Sequence, residues 1–313
     1  MKRIAVTSRS FSRHPVLRAE LQAIHADVTF NDAGASLAGP SLIDFLRGHD
    51  RAITALERLD DAVFTALPEL RVISKYGVGL DMLDLEAMVL HQVQLGWTGG
   101  VNKRSVSELV ISNAIALFRH VPKANREVLD GTWRQHMGNH LSEKTVGIIG
   151  CGHVGKDLAA LLGAFGCKVL ANDIVDYADF YAANGIEAVT LEDLLKRSDV
   201  VTIHTPLDAS TENILNAERL ALMQSHALFI NAARGGLADE AALKSMLKDG
   251  RLAGAAFDVF ASEPPEDLEL IGLPNVLTTP HIGGSAEEAI LNMGRAAIRG
   301  LEDHRLPDKN WPG

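Results

Sequence analysis

The sequence predicts an α/β protein made of two doubly wound parallel-sheet domains with a cleft between them. Three observations carry this reading: a βα rhythm near the start of the chain, a second and more apolar βα series from Thr145, and a glycine-rich turn where that second series begins. In the first series, β-branched runs at residues 3–7, 50–54 and 71–74 alternate with helical stretches at 15–24 and 60–66. The second series has strand-like runs at 145–149, 168–171, 199–203, 227–230 and 253–257. Those runs lack polar alternation, as parallel strands covered on both faces should. Between the series, residues 105–118 set Val106, Leu109, Val110, Ala114 and Leu117 at helical spacing, which suggests a helix bridging the domains. A last helix at about 285–301 is expected to return to the first domain.

Size and composition agree with two domains. At 313 residues, 47% hydrophobic and 22% charged, the chain exceeds the span that one core usually serves. The expected division is residues 1–98 together with 286–313, and residues 99–285. A net charge of -10 argues against a general nucleic-acid binder, because neutralising phosphates needs a basic field. The only cysteines, Cys151 and Cys167, exclude a disulfide framework and a four-cysteine zinc site, and no metal site is expected. Reduced thiols and a start without a signal-peptide apolar core point to a cytoplasmic protein, and no apolar run is long enough to make a membrane a partner.

Gly150-Cys151-Gly152-His153-Val154-Gly155 is a G-x-G-x-x-G turn between an apolar strand and an Ala/Leu-rich helix. In that setting Gly150 serves the tight turn, Gly152 lets backbone approach a pyrophosphate, and Gly155 permits close helix–strand packing. The helix's unpaired N–H groups then receive the anion. Asp173 ends the next strand at about the 20-residue offset of a ribose-binding acid. Its carboxylate suits a 2′-hydroxyl and repels a 2′-phosphate, and the segment 172–179 adds Asp176 and Asp179 without a Lys or Arg. NAD is therefore the expected cofactor, in preference to its 2′-phosphorylated form.

Three polar clusters fall at later strand ends: Asn231-Ala232-Ala233-Arg234-Gly235-Gly236, Asp258 through Glu263-Pro264, and Thr279-Pro280-His281 through Gly283-Gly284. Together with Lys75-Tyr76-Gly77-Val78-Gly79-Leu80-Asp81, Asn102, Ser105 through Glu108, and His204-Thr205-Pro206, they resemble the D-isomer-specific 2-hydroxyacid dehydrogenase family, which includes D-3-phosphoglycerate dehydrogenases and glyoxylate/hydroxypyruvate reductases. The resemblance runs over nearly the whole chain. It implies a Rossmann NAD-binding domain at 99–285, a flavodoxin-like substrate domain from the two ends, and interconversion of a small D-2-hydroxy acid with its 2-oxo acid. It also implies a homodimer through the NAD-binding domain, with residues 121–140, Trp133 among them, as the expected contact.

Such chemistry needs a clamp for a carboxylate and a carbonyl oxygen, and the rigid fork of Arg234 suits it. As hydride reaches C2, a positioned acid must supply a proton near neutral pH, and His281 is the candidate. The resemblance makes Glu263 the carboxylate that orients this imidazole and favours its protonated form. It further assigns His153, Val154, His204, Thr205, Pro206, Asn231, Ala232, Ala233, Asp258, His281, Gly283 and Ser105 to the cofactor. To the substrate it assigns Lys75, Tyr76, the N–H groups of Val78 and Gly79, Asn102 and Arg234. Lys75, Met82 and Ser107 stand where Arg, Asn or His, and Ala are common in the family, which bears on substrate preference. Arg9, Arg13 and Arg58 are read first as solvated surface charges, with recognition of an anionic C3 group as the alternative. Cys151 reads as a small residue filling a crowded turn. The chain stops soon after the last helix, so the C-terminal regulatory domain of some phosphoglycerate dehydrogenases is not expected. Two other functions stay open: D-3-phosphoglycerate dehydrogenase specifically, and a non-catalytic dinucleotide-sensing binding protein.

Overall fold

The computed structural model describes residues 2–308; Met1 and residues 309–313, which the expected first domain includes, lie outside them. The chain divides into two compact units, one formed by residues up to Asn102 together with those from Glu287, the other by Lys103–Ala286. This division assigns residues 99–102 to the first unit and Ala286 to the second, beyond the expected bounds.

The first unit is built on strands β1 (Ile4–Val6), β2 (Val28–Phe30), β3 (Arg51–Thr54), β4 (Val72–Lys75) and β5 (Gln94–Gly96). All pair in parallel, in the order β2-β1-β3-β4-β5, the flavodoxin-like arrangement. Successive residues of β1 feed opposite cores: Ile4 and Val6 pack with Phe11, Leu17 and Leu21, and Ala5 with Leu42, Leu46 and Ile73. Burial on both faces is why these strands carry no polar alternation. Helix Glu287–Gly300 closes one side, where Ser74 Oγ donates to Ala297 O at 2.6 Å. A Cβ on Gly96 would lie 2.0 Å from Gly300 O, so only glycine permits this approach of strand and helix.

The second unit holds β6 (Thr145–Ile149), β7 (Lys168–Asn172), β8 (Glu187–Ala188), β9 (Val200–Ile203), β10 (Leu228–Asn231), β11 (Gly254–Phe257) and β12 (Val276–Thr278). Their order is β12-β11-β10-β9-β6-β7-β8, all parallel. The sequence order therefore reverses between β6 and β9, as in a Rossmann sheet. Helix Lys103–Phe118, expected to bridge the domains, lies wholly in this unit. It buries Val106, Val110, Ala114 and Leu117 and packs against helix His153–Ala164, so its apolar face is spent on this core. Among the described residues, no helix is long and apolar enough to cross a membrane.

Candidate functional site

At the carboxyl end of β6, Gly150 has φ +87°, a conformation that L side chains resist. A Cβ there would also meet the His204 carbonyl carbon at 2.8 Å. Gly155 sits 2.4 Å, measured from an added Cβ, from Gly150 O, so helix and strand close tightly. Gly152 differs: nothing lies within 4 Å of an added Cβ, and as N-cap it supplies no side-chain bond to helix His153–Ala164. An open approach to unpaired helix N–H groups is what a pyrophosphate requires. His153 is exposed at this helix start and Val154 is partly buried; partial desolvation of the ring, together with Lys103 and Lys156, holds the His153 imidazole below its ordinary range.

Asp173 ties β7 to this turn. Its Oδ2 accepts the Cys151 N–H at 2.6 Å and its Oδ1 the Val175 N–H at 2.8 Å. Cys151 is fully buried, and desolvation pushes its thiol up to about 11, so it fills the turn as an inert side chain. At the end of β9, desolvation brings the His204 imidazole down to about 4, and its Nε2 pairs with Thr202 Oγ1 at 3.0 Å. Thr205 Oγ1 is buried without a hydrogen-bond partner, and Pro206 beside it is exposed. An orphaned hydroxyl next to an open glycine turn fits a site that receives a polar cofactor.

The second half of the site lies at the ends of β10, β11 and β12. Asn231 folds the first loop on itself: its Nδ2 donates to Arg234 O at 2.8 Å and its Oδ1 accepts the Ala233 N–H at 3.1 Å. Ala232 is buried, and the partly buried Arg234 donates from Nη1 to Ala233 O at 2.7 Å. His281 has φ +54°, and its Nδ1 lies 2.9 Å from Glu263 Oε2. That pairing leaves Nε2 as the nitrogen able to exchange a proton with a ligand. Glu263 Oε1 accepts the Phe260 N–H at 3.2 Å, which fixes the carboxylate from its other side.

Asp258 is only 1% exposed and holds the His281 loop in place. Its Oδ1 accepts from Thr279 Oγ1 at 2.5 Å and the Ile282 N–H at 2.8 Å, and its Oδ2 accepts the Gly283 N–H at 2.7 Å. Its own carbonyl oxygen accepts the His281 N–H at 2.8 Å. Both carboxylate oxygens thus accept donors of this loop, so Asp258 organises the backbone that carries His281. Thr279 stands in the third polar cluster of the sequence without an assigned role, and its hydroxyl bond to Asp258 supplies one. An apolar-walled cavity of about 350 Å³ flanks the imidazole–carboxylate pair, lined by Phe260, Pro264, Pro265 and Pro280 among others. Ser105 Oγ accepts the Ala286 N–H at 3.3 Å, and the fully buried Ser107 donates to Val154 O at 3.5 Å.

In the first unit, a separate strand-end loop follows β4. Lys75 is buried and its Nζ donates to Ala55 O. The Tyr76 ring is buried and packs against Phe11, centroids 5.4 Å apart and edge-on. Gly77 has φ +125°, Val78 O accepts the Trp97 Nε1–H at 3.0 Å, and Gly79 and Asn102 are partly buried. Among the described residues, no group of 3 or more His, Cys, Asp or Glu is arranged to hold a metal ion.

Residues 111–283 match the profile of the NAD binding domain of D-isomer specific 2-hydroxyacid dehydrogenases. The chain is 38% identical over 229 residues to D-3-phosphoglycerate dehydrogenase of Rattus norvegicus, spanning 72% of this chain and 43% of that one. The match thus covers under half the length of this curated relative. Among solved structures, D-2-hydroxyisocaproate dehydrogenase superposes with a TM-score of 0.85 at 26% identity, covering 97% of this chain and 96% of that one. D-lactate dehydrogenase with NAD+ from Lactobacillus jensenii gives 0.79 at 27% identity, covering 96% and 95%.

Proposed function

From the premise that this chain belongs to the D-isomer specific 2-hydroxyacid dehydrogenase family, we propose that it is an NAD-dependent dehydrogenase interconverting a small D-2-hydroxy acid and its 2-oxo acid. The observation that carries this reading is the His281 Nδ1–Glu263 Oε2 contact of 2.9 Å, on a loop pinned by Asp258, in the same sheet as the open glycine turn. Gly150, Gly152 and Gly155 with the helix N–H groups would hold the pyrophosphate, Asp173 the ribose hydroxyls, and Thr205 a polar group nearer the nicotinamide. When bound, NADH supplies the hydride that reaches C2 of the oxo acid.

Arg234 binds the carboxylate and carbonyl oxygen and fixes the acid's orientation. His281 passes the proton on Nε2 to the carbonyl oxygen as charge grows there, and Glu263 stabilises the imidazolium until transfer. In the oxidative direction, neutral His281 takes the hydroxyl proton as hydride leaves C2. The first unit is read as the substrate domain.

A second copy of this chain is the partner, joined through the NAD-binding unit. Helix Val121–Leu129 buries none of its residues, and Val121, Val128, Leu129, Trp133 and Met137 are all exposed, an apolar surface that association would cover. The two free thiols agree with a reducing compartment such as the cytoplasm. D-3-phosphoglycerate oxidation is the second reading, favoured by the identity to the rat enzyme. The test is a panel of 2-oxo acids assayed with NADH and NADPH by nicotinamide absorbance. Turnover is expected with NADH preferred; no turnover of any acid overturns the dehydrogenase reading, and equal efficiency with NADPH overturns the cofactor assignment.

A further inference from the structure

Resting on that reading, we propose that Glu240 is a positioning residue for the acid–base pair: it fixes, at the Ala261 N–H, the segment that carries Glu263. All the groups concerned belong to the second unit. Glu263 has to hold its Oε2 2.9 Å from His281 Nδ1, yet residues 261–264 are exposed, between the buried Phe260 and the buried Leu270. Apolar packing therefore does not locate this carboxylate. The bond from the Phe260 N–H to Glu263 Oε1 spans three residues and leaves the stretch beyond Phe260 to be fixed from outside.

Helix Glu240–Lys248 supplies what packing does not. Glu240 Oε1 accepts the Ala261 N–H at 2.8 Å, and one turn further on Lys244 Nζ donates to Asp267 Oδ2 at 2.7 Å. Residues four apart share a helix face, so one face of this helix grips the segment 261–267 at both ends, with Glu263 between them. The helix is itself anchored. Leu243, Met246 and Leu247 are buried in the core, and Asp239 caps its start by accepting the Ala242 N–H at 2.9 Å.

The two ties are unequal. Lys244 divides itself between Asp267 and, at 3.4 Å, Glu269, and both acids face water, which screens such pairs. Glu240 is partly buried, and desolvation, with Asp267 adding to it, holds its carboxyl above the ordinary range against the lowering effect of the Ala261 N–H. A carboxylate withdrawn from water bonds that N–H more strongly. The same backbone also carries the loop after Arg234: a Cβ on Gly235 would lie 2.0 Å from Phe260 O and 2.3 Å from Ala261 N, so this loop rests directly on the residues that Glu240 holds.

Two variants separate reach from charge. Glu240→Asp keeps the charge on a side chain shorter by one methylene, and Glu240→Gln loses the charge but keeps an oxygen at the same reach. Glu263→Gln gives the displacement for a pair without its charge, and Leu243→Ala, which loosens the same helix without touching the tie, gives the effect of weakened structure alone. The experiment measures kcat/KM against pH in both directions, for the 2-oxo acid turned over best and its 2-hydroxy acid, with NADH affinity from fluorescence and stability from urea unfolding. Reduction needs protonated His281, and a displaced Glu263 favours that form less, so in Glu240→Asp the fall in reduction should move about 1 pH unit lower, with oxidation extending as far towards acid. Glu240→Gln should keep the wild-type profile, Leu243→Ala should lose stability with its profile unmoved, and NADH affinity should stay at the wild-type value. An unmoved profile in Glu240→Asp, a displacement in Glu240→Gln as large as in Glu240→Asp, or an equal displacement in Leu243→Ala overturns the proposal. No turnover by the wild type, or an unmoved profile in Glu263→Gln, overturns instead the reading on which the proposal rests, and the role of Glu240 with it.

Discussion

Asp173 and Asp258 both follow strands of the same sheet, and both accept backbone N–H groups, yet they do different work. Asp258 is sealed from water, with a hydroxyl and two backbone donors shared between its oxygens, all from the segment 279–283. Asp173 is only partly buried and takes one N–H on each oxygen, which leaves acceptor capacity facing solvent. The lesson is that a strand-end acid is no ligand reader by position alone. One sealed from water and tied to its own chain shapes the backbone, and one left half in water can still read a hydroxyl.

The imidazole that Asp258 positions gives the largest expected effect. His281→Ala should lower kcat in both directions by about 10²- to 10⁴-fold, the usual contribution of a general acid–base group. Steady-state rates of reduction and oxidation check it, and near-normal turnover would remove His281 from the proton transfer.

Next in size is Asp258→Ala, which leaves the Thr279 hydroxyl and the Ile282 and Gly283 N–H groups without their acceptor. A loss of about 3 kcal/mol of stability is expected, on the scale of leaving a few buried donors unpaired. Turnover should fall as the loop bearing His281 relaxes. Urea unfolding and kcat, measured on the same preparation, separate the two effects. Unchanged stability would mean that water replaces the carboxylate and that the contrast between the acids is false.

The smallest effect is expected at Asp173. Its replacement by Ala should reduce the preference for NADH over NADPH about tenfold, or about 1.4 kcal/mol, by removing a hydroxyl acceptor and a charge that repels a 2′-phosphate. The ratio of kcat/KM for the two cofactors reads this directly. An unchanged ratio would make Asp173 another backbone tie, like Asp258.

The longer apolar strands and the glycine turn were legible because each states its physics in a few adjacent residues. Val146 to Ile149 is buried on both faces, and the turn after it is spaced for tight packing. Strands β2, β5, β8 and β12 escaped, since two or three residues such as Gln94–Gly96 or Glu187–Ala188 show no period. Helix Val121–Leu129 escaped for another reason: no residue of it is buried, so no core-facing pattern marks it. In the candidate site, the order of Arg234, Glu263 and His281 could be read from strand ends, and their functional roles rest on the proposal above. The partner choice of Asp258 could not be read, because an acid after an apolar strand looks the same whether its donors come from a ligand or from the chain. The packing of the Tyr76 ring against Phe11 could not be read for a similar reason: a motif gives the backbone path but not which side of the sheet a side chain enters.

The second unit is one unbroken stretch, Lys103–Ala286, while the first is assembled from both ends of the chain. Lys2 Nζ reaches Glu302 Oε1 at 2.7 Å, and the backbones of Leu95 and Arg305 exchange hydrogen bonds of 2.8 and 3.2 Å. During synthesis from the amino end, the five strands of the first sheet leave the ribosome before helix Glu287–Gly300, the cover for one of their faces, has been made. Ile4, Val6, Leu17 and Leu21 must wait for Ala297, Ile298 and Leu301 to complete their cluster. The later-encoded unit is therefore the first able to finish folding. Over that interval the nascent chain carries an incompletely covered sheet, the kind of surface that chaperones hold and that aggregates when they do not.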